Sequence, residues 1–165
     1  MAGTRFDNDI FVAGNIGSRT LTVPAGTILN AAVGSAAAIA ATKMIQQHVL
    51  HVSQESAADA SDEEFCVHVV YGATGTSVAF EAGVVVAAAG AAVVAVDLHK
   101  NGTTVLSSTI TLDNSQTAYE LVTATISTTS LVAGDVLEVL INATIGGGTL
   151  GKGVFASLVL REDPE

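Results

Sequence analysis

After residue 65 apolar and polar residues alternate with a period of two, and the alternation is broken at short, regular intervals by glycine, asparagine, aspartate and serine. That rhythm is the signature of an antiparallel sandwich or barrel, in which successive side chains point to opposite faces of a sheet. It predicts strands over residues 65–71, 76–87 (one long strand or a bent pair), 91–100, 104–112, 117–126, 136–145 and 154–160, with a first strand at 47–52. Val94, Val96 and Leu98 share one face, as do Leu106, Ser108, Ile110 and Leu112. So do Leu137, Val139, Ile141 and Ala143, opposite Glu138 and Asn142. The uncharged stretch 82–96 carries Gly83 and Gly90 and reads as two buried strands joined near Gly90.

The breaks carry turn chemistry. Asn101-Gly102 is the strongest local signal, because both residues tolerate the positive φ angles of a tight hairpin turn. Gly72 to Gly75, Asp113-Asn114-Ser115 and Leu131-Val132-Ala133-Gly134-Asp135 are further turns, and Gly146-Gly147-Gly148 is read as a flexible link. Asn101, Gly102, Gly134 and Asp135 are the expected structural turn residues. The polar stretch 54–64 is an exposed loop.

Residues 1–46 follow a different pattern. A short extended segment covers 6–12, Thr20-Leu21-Thr22-Val23 alternates like a strand, and Pro24-Ala25-Gly26 ends it. Asn30 caps a predicted helix over 31–45, with Val33, Ala37, Ala40 and Met44 at helical spacing. Gly34 costs that helix about 1 kcal/mol relative to alanine. An alanine-rich helix buries little by itself and needs a close neighbour. The chain is therefore divided into an assembly arm, 1–46, and a β-sandwich domain, 47–165. Phe6, Ile10, Leu21, Val23, Ile39 and Met44 are the arm's expected contact residues.

Composition sharpens this picture. The 165 residues are 49% hydrophobic but only 13% charged and 4% aromatic, with no tryptophan. Soluble domains carry roughly 25% charged residues, so part of this surface is expected to be covered by other chains. The net charge of −10, with six lysines and arginines, excludes an electrostatic nucleic-acid footprint and a polybasic membrane contact. One cysteine, Cys66, rules out an internal disulfide. The first seven residues do not have the basic-then-apolar form of a secretory leader.

Three segments resemble a known group. Val96-Asp97-Leu98-His99-Lys100-Asn101-Gly102 followed by Val105-Leu106-Ser107 resembles a hairpin of phage structural jelly rolls. Leu131-Val132-Ala133-Gly134-Asp135-Val136-Leu137 resembles the strand lead-in of trimeric jelly rolls, the tumour-necrosis-factor-like group among them. The arm, with Leu21-Thr22-Val23-Pro24-Ala25-Gly26 leading to Ala38-Ile39-Ala40-Ala41-Thr42-Lys43, is similar to the N-terminal segments of tailed-phage head decoration and fibre proteins. The resemblance implies a jelly-roll-like sandwich of about eight strands, trimeric, on a virion surface after synthesis in the host cytoplasm. It implies a capsid decoration or cement role, with the chain itself and a major capsid or other virion protein as partners. The other reading is a receptor- or glycan-binding fibre, tail or bacterial surface module.

Candidate chemistry is sparse. No nucleophile elbow, phosphate loop or zinc-protease helix motif is present, so no enzyme activity and no cofactor are expected. His48 and His51 are three apart and on a strand face opposite sides, whereas Cys66 and His68 share a face. Neither pair supplies the three or four converging ligands of a zinc site, and no metal ligand is expected. Asp59, Asp62, Glu63 and Glu64 miss the calcium-loop spacing. Glu81, Asp97, Asp113, Glu120, Asp135 and Glu138 offer carboxylates for glycoside hydrolysis only if two of them face each other across a cleft.

Overall fold

A computed structural model describes residues 44–163. The described chain is all-β, without a helix. It forms β1 (Gln46–Ser53), β2 (Glu63–Val69), β3 (Thr74–Val86), β4 (Val93–Lys100), β5 (Thr103–Thr104), β6 (Ile110–Leu112), β7 (Val122–Ala124), β8 (Ser130–Val132), β9 (Val136–Thr144) and β10 (Lys152–Glu162).

Two antiparallel sheets result. One runs β1-β10-β3, with β7 and β8 both paired to β3. The other runs β2-β9-β4, with β5 and β6 both paired to β4. Apart from the β4–β5 hairpin and the β5–β6 and β7–β8 breaks, each connection passes from one sheet to the other. Treating the broken pairs as single rows gives two layers of four.

Period-two patterning explains the stacking. Leu50, Leu158 and Phe80 lie in one cross-strand row of the first sheet. Leu98 and Val139 lie side by side in the second. Phe80, Leu98, Leu137, Ile141, Leu158 and Leu160 are fully buried in one core cluster. Each such side chain contributes about 1.5–3 kcal/mol by leaving water.

Several expectations change. The segment 104–112 is not one strand: Val105 and Leu106 are both buried, Leu106 bridges to Ile126, Ser108 is exposed, and the ladder to β4 resumes only at Ile110. Two consecutive inward residues cannot sit on a regular pleat, so the row breaks there. The segment 117–126 shrinks to β7, because Thr117 to Glu120 form a turn in which Tyr119 has φ 64°. Leu131 and Val132, expected in a turn, belong to β8, and Leu131 is buried. Gly146-Gly147-Gly148 is no flexible link. A Cβ on Gly148 would meet the Ala89 carbonyl oxygen and the Ala92 nitrogen, so this turn is packed against the chain around residue 90.

The arm lies outside the described residues except for its last three. Phe6, Ile10, Leu21, Val23 and Ile39 fall there, as does most of the helix expected over 31–45. Met44 and Ile45, at its expected end, are not helical and are exposed, and Gln46 already belongs to β1.

Candidate functional site

One end of the sandwich carries a connected set of polar contacts. Asn101 and Gly102 close the β4–β5 hairpin with φ of 51° and 75°, the paired positive values that Asn-Gly predicts. Gly134, with φ 87°, turns the chain between β8 and β9. The two turns are clamped together. Asn101 Nδ2 donates to Asp135 Oδ1 at 2.7 Å, and Val136 N donates to Asn101 Oδ1 at 2.8 Å. Asp135 Oδ2 accepts from Val132 N at 2.9 Å and lies 3.6 Å from Lys100 Nζ. The Val132 N–H holds the Asp135 carboxyl below the usual aspartate range, against the opposing effect of burial.

The order continues across the sheets. Val70 N donates to the Asp135 carbonyl and Gly134 N to the Val70 carbonyl, both at 2.9 Å. The next residue, Tyr71, donates its N–H to Glu162 Oε1 at 3.0 Å.

Glu162, near the end of β10, is buried between the sheets, with its side chain only 8% exposed. His48 stands on β1 opposite the buried Leu160 and faces inward with it. His68 reaches the same spot from β2. A register shift between Cys66 and His68 pairs Cys66 with Glu138 but His68 with the buried Leu137. His68 Nε2 lies 2.9 Å from Glu162 Oε1, and His48 Nε2 lies 3.1 Å from Oε2. The two imidazole rings are 5.2 Å apart and tilted by 37°. The His48 contact is out of hydrogen-bonding alignment, so its buried Nε2 has no hydrogen-bond partner. Burial pushes the Glu162 carboxyl up, but the hydrogen bonds from His68 and the Tyr71 N–H and the electrostatic influence of the neighbouring imidazoles together hold it below the usual range.

The two short-spaced pairs, His48/His51 and Cys66/His68, are not brought together. His51 is exposed on the opposite face of β1, and Cys66 is exposed rather than a shared-face partner of His68. The shift in β2 throws the two apart.

The acidic loop does not converge. Asp59 pairs with Lys152 at 3.2 Å, Asp62 Oδ1 accepts from Ala143 N at 2.8 Å, and Glu63 Oε2 accepts from Gln54 Nε2 at 3.1 Å. Asp62, Glu63 and Glu64 line an open depression with Leu140, Ile141 and Asn142.

The carboxylates weighed for hydrolysis each serve local structure. Glu81 accepts from Thr123 Oγ1, Asp113 from Ser115 N, Glu120 from Thr117 N and Glu138 from Gly102 N. Asp97 accepts from Leu98 N and Thr104 Oγ1, each at 2.8 Å, and lies 3.1 Å from His99 Nε2. None of these six lines the acidic depression.

No family model, no curated protein and no solved structure matches the chain.

Proposed function

We propose that this chain is a non-enzymatic structural protein that works by packing against copies of itself and against a larger shell. The observation that carries this reading is the outer face of the β1-β10-β3 sheet. Val49, Val159 and Ala79 lie side by side across three strands, and the adjacent Val78 stands at the register shift between β3 and β10. Val49 is 52% and Val78 46% exposed. An apolar row on a sheet face suits burial by another chain. It is borne by a sequence with only 13% charged residues, and β1 follows directly on the proposed arm.

The finer reading is a trimeric jelly roll on a virion surface, a capsid decoration or cement protein. Two lines support it. Taken as eight rows, the strands run 1-8-3-6 in one layer and 2-7-4-5 in the other, the order of a double Greek key. The second line is the motif resemblance at 96–107, 131–137 and 21–43. No catalytic step is involved: an arm laid on a neighbour and an apolar face against it supply the binding energy, and standard interfaces bury about 1,600 Å².

A glycan-binding tip is less well supported. Tyr71 and Tyr119 are the exposed tyrosines, but Tyr71 precedes β3, whereas Tyr119 N bonds to Val84 O near its far end. That is roughly 30 Å along the strand at about 3.3 Å per residue, too far for one stacking platform.

Sedimentation velocity of the full chain, alone and as Val49→Lys/Val78→Lys, tests the assembly reading. A concentration-dependent oligomer that the double variant dissociates without loss of β-structure is expected. A wild type that sediments as a monomer throughout removes the reading.

A further inference from the structure

We propose that His48, His68 and Glu162 form a binding site for a borderline divalent metal ion, Zn²⁺ by chemistry, that ties the two sheets together where the arm joins the sandwich.

The donor set fits such an ion. The three candidate ligand atoms lie within 4.8 Å of one another, the one such convergence of three histidine, cysteine or acidic side chains among the described residues. Zinc–ligand bonds of about 2.0–2.2 Å set the edges of a coordination tetrahedron at about 3.3–3.5 Å. His68 Nε2 lies 2.9 Å from Oε1 and His48 Nε2 lies 3.1 Å from Oε2, so with the carboxylate ligating through one oxygen that edge opens by a few tenths of an ångström and the other imidazole turns to the same ion. Two imidazoles and one carboxylate suit zinc, cobalt or nickel rather than calcium or magnesium, which take oxygen ligands.

The buried Nε2 of His48 is the independent sign. It points at the cluster and lacks a hydrogen-bond partner. A buried nitrogen without a partner is costly, and a bound cation removes that cost. The Tyr71 N–H donates to Glu162 Oε1 at 3.0 Å and holds the carboxylate in place, the kind of support that ligating carboxylates need. His48 is 29% exposed against 14% for His68 and 8% for Glu162. That side gives the ion a way in and leaves the fourth position to water. Bound there, the ion joins β1 and β10 of one sheet to β2 of the other.

The test uses untagged full-length protein stripped with chelator and titrated with Zn²⁺, and with Co²⁺ as a spectroscopic stand-in. One ion per chain is expected, with a rise in melting temperature of about 5 °C or more at saturation. The Co²⁺ complex should lack thiolate charge-transfer absorption. In nitrogen-resolved NMR of the wild type, zinc should shift the Nε2 resonances of His48 and His68 and leave those of His51 and His99 in place. Glu162→Gln and His48→Gln should each weaken binding at least tenfold, and His51→Ala and Cys66→Ser should not. The proposal is overturned by a folded wild type that takes up no ion saturably, by zinc shifts at His51 or His99 instead, or by unchanged affinity in both ligand variants. The NMR arm stands even where a variant fails to fold.

Discussion

Asn101 and Asp135, 34 residues apart, share a 2.7 Å hydrogen bond that locks the β4–β5 hairpin to the turn before β9. Each residue has its own reason to be there. Asn101 supplies positive φ, and Asp135 caps the Val132 N–H. The bond between them makes two local turns one piece of structure.

Removing the asparagine side chain should therefore cost more than a turn residue normally does. Asn101→Gly keeps the backbone conformation and loses the clamp, at about 1–2 kcal/mol; Asn101→Ala also strains the positive φ and should cost about 2–3 kcal/mol. Urea denaturation followed by circular dichroism checks both the size and the order of the two effects.

Acid should loosen the same clamp. The folded-state carboxyl of Asp135 titrates below its ordinary value of 3.8, so the unfolded chain takes up the proton first. The stability this provides is complete above that value and is lost as pH falls through the lower folded one. Asp113, lowered by its bond from Ser115, adds in the same direction. Denaturation midpoints should thus fall as the pH drops through and below 3.8, and the fall should be shallower in Asp135→Asn. An equally steep fall in that variant would assign the acid response to other groups.

The two faces of the β1-β10-β3 sheet should respond oppositely to substitution. Phe80 is fully buried, and Phe80→Ala should destabilise the domain by about 3–5 kcal/mol through lost burial and a cavity. Val49 is exposed on the other face, and Val49→Lys should change chain stability by less than about 0.5 kcal/mol. Its effect belongs in association. Thermal denaturation at low concentration, beside sedimentation at high concentration, separates the two.

The triple glycine gives a fourth expectation. Gly148→Ala drives a Cβ into the backbone of Ala89 and Ala92 and should cost at least about 2 kcal/mol, whereas the space around Gly147 is open and its alanine variant meets only the strain of φ 84°. Equal losses in the two variants would return the segment to a loose link.

Periodicity carried the all-β, two-faced sheet, because an inward residue at every second position suits a sandwich or a barrel, and Asn101-Gly102 fixed a hairpin by backbone sterics alone. The failures have physical causes. Alternation was extended through Ser108, although Val105 and Leu106 both turn inward and break the row. The His48, His68 and Glu162 cluster had no local signal. Glu162 stands 94 residues from His68. Antiparallel pairing of β1 with β10 brings His48 beside Glu162, and stacking of the second sheet brings His68 to both. Short spacing sets His48 beside His51 and His68 beside Cys66, neither pair being expected to bind a metal, and the pleat and the register shift in β2 send His51 and Cys66 away from the cluster.

Light scattering of the purified full chain across a wide concentration range bears most directly on the assembly account. A mass of three times the 16.6 kDa chain, falling when Val49 and Val78 become lysine, is the predicted result. A wild-type mass that stays at 16.6 kDa up to the highest concentration contradicts it.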